Sequence, residues 1–320
     1  MTAHTRRTAL ITGTSSGIGM EAAAQFARAG YSRVIVTART PAKAGSTAAT
    51  LRAQVGDDVV QPLALDLDDL ASVRVAAAQL VAAASPIDVL VLNAGVTPHA
   101  EIRRTTDGIE SMAAPLVGHH LLTTLLLEAG LLAENARIVI AGSEAARGDT
   151  PMFTPVDLDS LARREFDGDL ELAVEAVMRV SGPVRYQPNN QYASAKMFVT
   201  WWAAELATRL PAGTTVVAVS PGNTPDTNAA TTLPPLMRHV MFPLMKLVPG
   251  MSHTVADGAS RYLQAVDFGQ EANGQFFASK PKKMTGALHR IDGTTGGTAA
   301  SRAALWNATE RAAHAGAPRA

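Results

Sequence analysis

The 320-residue chain sets 28 Lys+Arg against 28 Asp+Glu, a formal net charge of +0, with 47% hydrophobic and 18% charged residues. That balance lacks the basic footprint of a nucleic-acid or anionic-membrane binder, and zero cysteines exclude disulfides, thiolate metal sites and cysteine nucleophiles. No uncharged apolar run reaches bilayer length, and the apolar stretch after Arg6 and Arg7 is too short for a signal segment; a cytoplasmic chain with no nucleic-acid partner and no membrane span is expected.

In chain order, β-rich apolar runs stand at residues 8–12, 34–37, 59–65, 87–92, 138–141 and 214–219. Between them lie Ala-rich helical segments at 17–29, 41–54, 69–84 and 105–128, then a helix from Tyr192 to Arg209 and another from Thr254. The strands are apolar on both sides, as in a parallel sheet covered on both faces. Gly30 suits the C-cap of the first helix and Pro41 the opening of the second. The alternation predicts an α/β fold, a doubly wound parallel sheet with helices on both faces, in one domain over 1–320. Two stretches break the rhythm. Residues 144–191 form a helical insertion ahead of Tyr192, with a charged piece carrying Arg163, Arg164, Glu165, Glu171 and Glu175. Residues 223–253 are rich in Pro and Met. Insertions at strand carboxyl ends fall over the ligand crevice of such sheets, so this stretch reads as an apolar lid or as surface helices packed on the core. The tail, 293–320, is Gly/Thr/Ala-rich, briefly helical around Trp306, and reads as partly loose.

Gly13-Thr14-Ser15-Ser16-Gly17-Ile18-Gly19 joins the first strand to the first helix. In that position Gly13 permits a tight turn, Gly17 lets backbone approach a pyrophosphate, and Gly19 lets the helix pack on the strand. The positive end of the helix then meets the phosphate charge. At the end of the second strand a carboxylate would favour NAD, whereas a 2′-phosphate needs a cation. Arg39 stands there and no acid does, so NADP(H) is favoured over NAD(H).

Tyr192 and Lys196 are one helical turn apart and share a helix face. A free phenol titrates near 10. An ammonium about 5 Å away contributes roughly 3 kcal/mol at an effective dielectric of about 20, which predicts a Tyr192 pKa lowered by roughly 2 units. Ser143, after the fifth strand, is placed to donate a hydrogen bond to a developing oxyanion. Ser143, Tyr192 and Lys196 are the candidate catalytic set. His119 and His120 lie among leucines in a helix and read as packing. No His/Asp/Glu spacing suits a metal.

Taken together, Thr12-Gly13-Thr14-Ser15-Ser16-Gly17-Ile18-Gly19, Asn93-Ala94-Gly95, Ser143, Tyr192-xxx-Lys196 and Pro221-Gly222 resemble the short-chain dehydrogenase/reductase family across roughly residues 6–290. The segments Asp107-Gly108-Ile109-Glu110 and Gly118-His119-His120-Leu121-Leu122-Thr123 are similar to its retinol dehydrogenase and protochlorophyllide reductase branch. The resemblance implies a Rossmann-like fold and an NAD(P)-dependent enzyme interconverting a carbonyl and an alcohol. It adds Asp66 and Leu67 as adenine contacts, with an N-cap as the other reading of Asp66. Asn93, Ala94 and Gly95 fall beside the cofactor's ribose, and Pro221, Gly222 and Thr224 beside the nicotinamide. The substrate is read as a small to mid-sized apolar carbonyl or alcohol.

Two departures stand out. Pro115 occupies the position where the family usually has an asparagine, removing an N–H and threatening a helix kink. The long spacing from Ser143 to Tyr192 resembles carbonyl reductases whose extra helix covers an oligomerisation face, so a monomer or at most a dimer is expected. An added interface formed by Leu170, Leu172, Val174 and Val177 is the competing view. The alternative function is a catalytically impaired NADP-binding regulatory or scaffold protein.

Overall fold

The computed structural model describes residues 7–56, 58–150, 152–224, 252–292 and 297–315. The strands are β1 (Thr8–Ile11), β2 (Arg33–Ala38), β3 (Val60–Ala64), β4 (Ile87–Leu92), β5 (Leu132–Ala141), β6 (Thr215–Val219), β7 (Phe276–Ala278) and β8 (His289–Arg290). They form one sheet in the order β3-β2-β1-β4-β5-β6-β7-β8. Every pairing is parallel except the last, where β8 runs antiparallel to β7. Order reverses between β1, which continues to β2, and β4. A crevice opens there at the strand carboxyl ends. The doubly wound sheet expected from the alternation is present, with two further short strands that carry no recognisable pattern.

The helices are α1 (Gly17–Arg28), α2 (Pro41–Val55), α3 (Leu70–Ala82), α4 (Ala114–Glu128), α5 (Leu158–Glu165), α6 (Leu170–Arg179), α7 (Pro188–Ala207), α8 (Val255–Val266) and α9 (Ala299–His314). One core joins the sheet to α1, α2 and α8 through Phe26, Leu51 and Tyr262. The other, larger core joins it to α3, α4, α6, α7 and α9 through Leu121, Val174, Trp202 and Leu305.

The helix expected over 105–128 begins only at Ala114. Residues before it double back in an antiparallel bridge, Arg104 with Glu110, around Gly108 at φ +77°. Pro115 therefore stands in the first turn, where its missing N–H has no intrahelical partner to lose. It starts the helix; the kink does not arise.

The insertion supplies α5, α6 and the start of α7. Val174 and Val177 are buried in the core while Leu172 is exposed. Glu171 and Glu175 pair with Arg311 of α9 while staying partly exposed, so that charged face meets both another helix and solvent. Within the tail, Ala299–His314 form α9, a 16-residue helix packed on α4, α6 and α7. Trp306 stacks on Trp202 at 6.5 Å, and the Arg209 guanidinium lies 4.4 Å from the Trp306 ring centre. His120 Nδ1 accepts from Trp202 Nε1 (3.0 Å), so Nε2 carries the proton it donates to Glu310. That bond, on the carboxylate's own charge, holds Glu310 down to about 2.

Of the stretch read as a lid, residues 225–251 lie outside the described residues. Its two ends are pinned together, His253 N–H donating to Asn223 O (2.7 Å) and Asn223 N–H to Met284 O (2.9 Å).

Candidate active site

The crevice is walled first by the glycine loop. Gly13 has φ +68°, and a Cβ there would stand 2.8 Å from Ala94 Cα. A Cβ on Gly19 would stand 2.4 Å from Gly13 O and 2.5 Å from Asn93 Nδ2. Only glycine fits either place. Thr14 is buried, its hydroxyl donating to Thr37 O (2.9 Å), while Gly13 N–H donates to Thr37 Oγ1 (3.0 Å). Ser15, Ser16, Gly17 and Ile18 are half-buried at the α1 N-terminus, and Ser16 makes no side-chain cap bond there. Uncapped N–H groups behind a close-approach cradle suit a pyrophosphate, so these residues fit a dinucleotide.

Asn93 and Ala94 face this loop across the strand reversal. Asn93 Nδ2 donates to Thr12 O (2.9 Å), and Ala94 N–H to Thr12 Oγ1 (3.0 Å). Asn93 is therefore a clamp on β1, a tighter role than the open space expected for a ribose. Sequence reasoning missed the next member. The buried His119 bonds Thr12 Oγ1 through Nε2 at 2.9 Å, and burial, with the Lys196 charge second, pulls its pKa down to about 3. The packing assignment is right as far as it goes; the imidazole also latches α4 to β1.

Arg39 is exposed at the end of β2 and forms no ion pair within 4 Å among the described residues. Asp68 feels its charge, although burial and Asp66 still raise the Asp68 carboxyl. Asp66 accepts from Asp68 N–H (3.1 Å), while the N-cap of α3 is Asp69. The N-cap reading of Asp66 thus falls to its neighbour. Leu67 is buried against Gly118, where a Cβ would stand 2.7 Å from Leu67 O.

Ser143, Tyr192 and Lys196 do converge. Ser143 ends the run from β5 and caps a short 3-10 turn (Glu144–Arg147), accepting from Ala145 N–H at 3.2 Å. Its side chain lies close enough to the Tyr192 hydroxyl to favour the phenolate there. Lys196 Nζ lies 5.9 Å from the Tyr192 ring centre and donates to Ala141 O (2.8 Å), with Gly95 beside it. The expected fall in the Tyr192 pKa is overturned. Burial raises it, the Ser143 side chain opposes that, and Glu144 adds to the rise. Desolvation acts on both groups and opposes the attraction between the phenolate and the ammonium. Lys196 itself is pushed down to about 8 by burial.

Behind Lys196 a cavity of about 20 Å³ is bounded by Gly95, Met112, Pro115, His119 and Ala141, the size of one water. On the opposite side Gly222, at φ +80°, abuts His253, whose Nδ1 lies 3.3 Å from Pro221 O; Thr224 lies against Gly258. Phe153 stacks obliquely on Tyr192 with ring centres 6.0 Å apart. No helix among the described residues is long and apolar enough to cross a membrane.

Comparison with known proteins agrees with this geometry. A family profile described as short chain dehydrogenase matches residues 7–155. The chain is 30% identical over 243 residues to "Dehydrogenase/reductase SDR family member 13" of Bos taurus, covering 76% of this chain and 58% of that protein. It is 33% identical over 217 residues to "Retinol dehydrogenase 12" of Mus musculus, covering 67% of this chain and 60% of that one. The chain thus spans well under two thirds of these curated relatives. A solved oxidoreductase of the short chain dehydrogenase/reductase family from Burkholderia thailandensis aligns with TM-score 0.58 and 26% identity, over 85% of this chain and 90% of its own.

The Lys196 shift has a sign that can be measured. Below pH 8 folded and unfolded chains both hold the proton, and the cost of burying it is fully present. From about 8 to the ordinary 10.5 the unfolded chain binds more protons, so this contribution to stability rises with pH. Urea unfolding across that window is expected to show a steeper rise for the unmodified protein than for Lys196→Met; equal slopes would remove the burial argument.

Proposed function

The chain belongs to the short-chain dehydrogenase/reductase family, and on that premise we propose that it is an NADP(H)-dependent oxidoreductase interconverting a carbonyl and an alcohol on a small to mid-sized apolar substrate. The observation that carries this reading is the convergence of Ser143, Tyr192 and Lys196, with Lys196 Nζ 5.9 Å from the Tyr192 ring centre on the same face of α7 and the Ser143 side chain acting on the phenol. The nicotinamide cofactor, when bound, supplies or accepts the hydride. In reduction, hydride reaches the carbonyl carbon while the Tyr192 phenol gives its proton to the oxygen. Ser143 donates a hydrogen bond where the negative charge develops. Lys196 holds a positive charge beside the phenol below pH 8 and favours the phenolate left behind. The Phe153 ring on Tyr192 and the exposed Met152 nearby make the entrance apolar, in keeping with an apolar substrate.

The cofactor-binding set follows the crevice: Gly13 to Gly19 for the pyrophosphate, Arg39 for a 2′-phosphate, and Asp66 and Leu67 for adenine. Asn93 to Gly95, Tyr192 and Lys196 then serve the nicotinamide ribose, with Pro221, Gly222 and Thr224 at the ring. Arg39, unpaired among the described residues and exposed at a strand end, supports NADP(H) over NAD(H).

Assembly is read as monomer or at most dimer, in one domain. α4 and α7 carry α9, and the insertion packs through α6 on α9 and against α7. The short β8 lies along β7 at the edge of the sheet. Light scattering at micromolar protein is expected to give one or two chains per particle; a stable tetramer would contradict this reading.

Turnover is tested with NADPH, NADH and a panel of ketones and aldehydes. Tyr192→Phe is expected to abolish reduction while NADPH binding stays close to normal; near-normal turnover would assign the proton to another group. In the same assay NADPH is expected to bind more tightly than NADH by about 1–3 kcal/mol, the worth of a charge-assisted bond. Arg39→Ala is expected to erase most of that gap, and equal affinities in the unmodified protein would refute the role of Arg39.

A further inference from the structure

Glu144 follows the candidate catalytic serine directly, yet is only 2% exposed and sits in a knot of polar groups. One carboxylate oxygen accepts from Ser220 Oγ. The other accepts from Ser279 N–H (3.2 Å) and Oγ (2.9 Å) and from Arg261 of α8 (3.4 Å). Arg261, 4% exposed, also donates to Ser220 O (2.7 Å), Ser279 Oγ (3.0 Å) and Gly286 O (2.5 Å). Arg147, from the same turn as Glu144, donates to Ser279 O (2.6 Å) and Lys283 O (2.8 Å). Three separate segments thus meet on one carboxylate. The knot reaches the crevice at two points. Ser220 Oγ, held by Glu144, accepts from Gly222 N–H at 3.1 Å, and Ser143 is covalently next to Glu144.

We propose that Glu144 is a positioning residue for hydride transfer, fixing the Pro221-Gly222 turn through Ser220 and the Ser143 turn through its own backbone, with its negative charge facing Tyr192. The inference rests on the reading of Tyr192 as the acid and base. A buried carboxylate of this kind is maintained only by its partners, and here one of them, Ser220, holds the Gly222 N–H at the crevice wall. The charged and titratable groups around it are Arg261 and Tyr262 of α8, Arg147 with Asp149, Tyr192 and Lys196 of α7, and His253 beside Gly222. Glu144 disfavours the phenolate of Tyr192, so neutralising it makes the phenol more acidic, and the uncovered Arg261 acts in the same direction.

The test compares Glu144→Gln, Glu144→Asp and Ser220→Ala with the unmodified protein. Tyr192 ionisation is read without turnover, as the ultraviolet phenolate signal lost in Tyr192→Phe. Glu144→Gln is expected to raise the phenol's ionisation constant about tenfold, and Glu144→Asp, which keeps the charge, to leave it in place. Ser220→Ala breaks the link to Gly222 and removes one donor from Glu144, whose other oxygen keeps its Ser279 and Arg261 bonds. It is expected to lower kcat about tenfold on an accepted ketone, with NADPH affinity held within about threefold because the pyrophosphate and adenine walls are untouched. It also serves if Glu144→Gln fails to fold. An unmoved phenol in folded Glu144→Gln, an equal shift in Glu144→Asp, or normal kcat in Ser220→Ala would overturn the proposal. Absence of turnover in the unmodified protein would instead strike the functional reading, leaving the phenol titration to judge Glu144.

Discussion

The reversal of strand order between β1 and β4 leaves a gap at their carboxyl ends, and Thr12 holds the two sides of that gap at a fixed spacing. Its hydroxyl takes the Ala94 N–H and bonds His119, and its carbonyl takes the Asn93 amide. Residues from β1, the end of β4 and α4 are thereby locked within hydrogen-bond length of one another. Gly13 and Gly19 then fit because nothing larger would: both close contacts run to Ala94, Asn93 or the loop itself. The loop is a cradle because the hydroxyl, the amide and the imidazole leave it no freedom to be anything else. Burial holds His119 far below its usual pKa, so a neutral imidazole makes this latch.

What the sequence made legible were features whose physics is local. A glycine loop between strand and helix, a phenol and an ammonium one turn apart, and apolar runs at strand length each need only their neighbours to be interpreted. What it hid depended on partners distant in the chain. The start of α4 was misplaced because the antiparallel bridge between Arg104 and Glu110 has no periodic signal, and Pro115 then looked like an intruder in a helix it in fact opens. β7 and β8, of three and two residues, are too short to carry a pattern. The acidity of Tyr192 was misjudged because a pairwise charge sum has no term for burial, and burial could not be seen until α7 was placed against β5 and the Ser143 turn. The candidate catalytic residues were thus found by spacing, while their electrostatic state waited on the fold.

The C-terminal helix shows the same dependence on distant partners. Its sequence is weakly amphipathic, and in isolation it has little to recommend it as an ordered element. Its order comes from outside: Leu305 enters the core, Trp306 lies between Trp202 and Arg209, Glu310 meets His120, and Arg311 spans Glu171 and Glu175. The insertion and the tail, which interrupt the α/β alternation from opposite ends of the second half, complete one another over α4 and α7. Neither reads as structure without the other.

The pinned ends at Asn223 and His253 bear on what a substitution can reach there. The backbone leaves the sheet at one point and returns to the same point, fastened by Asn223 O to His253 N–H and by Met284 O to Asn223 N–H. The end of the run from β6 and the entry to α8 are therefore held at one spacing by backbone bonds alone, which no side-chain substitution at Asn223, His253 or Met284 removes directly.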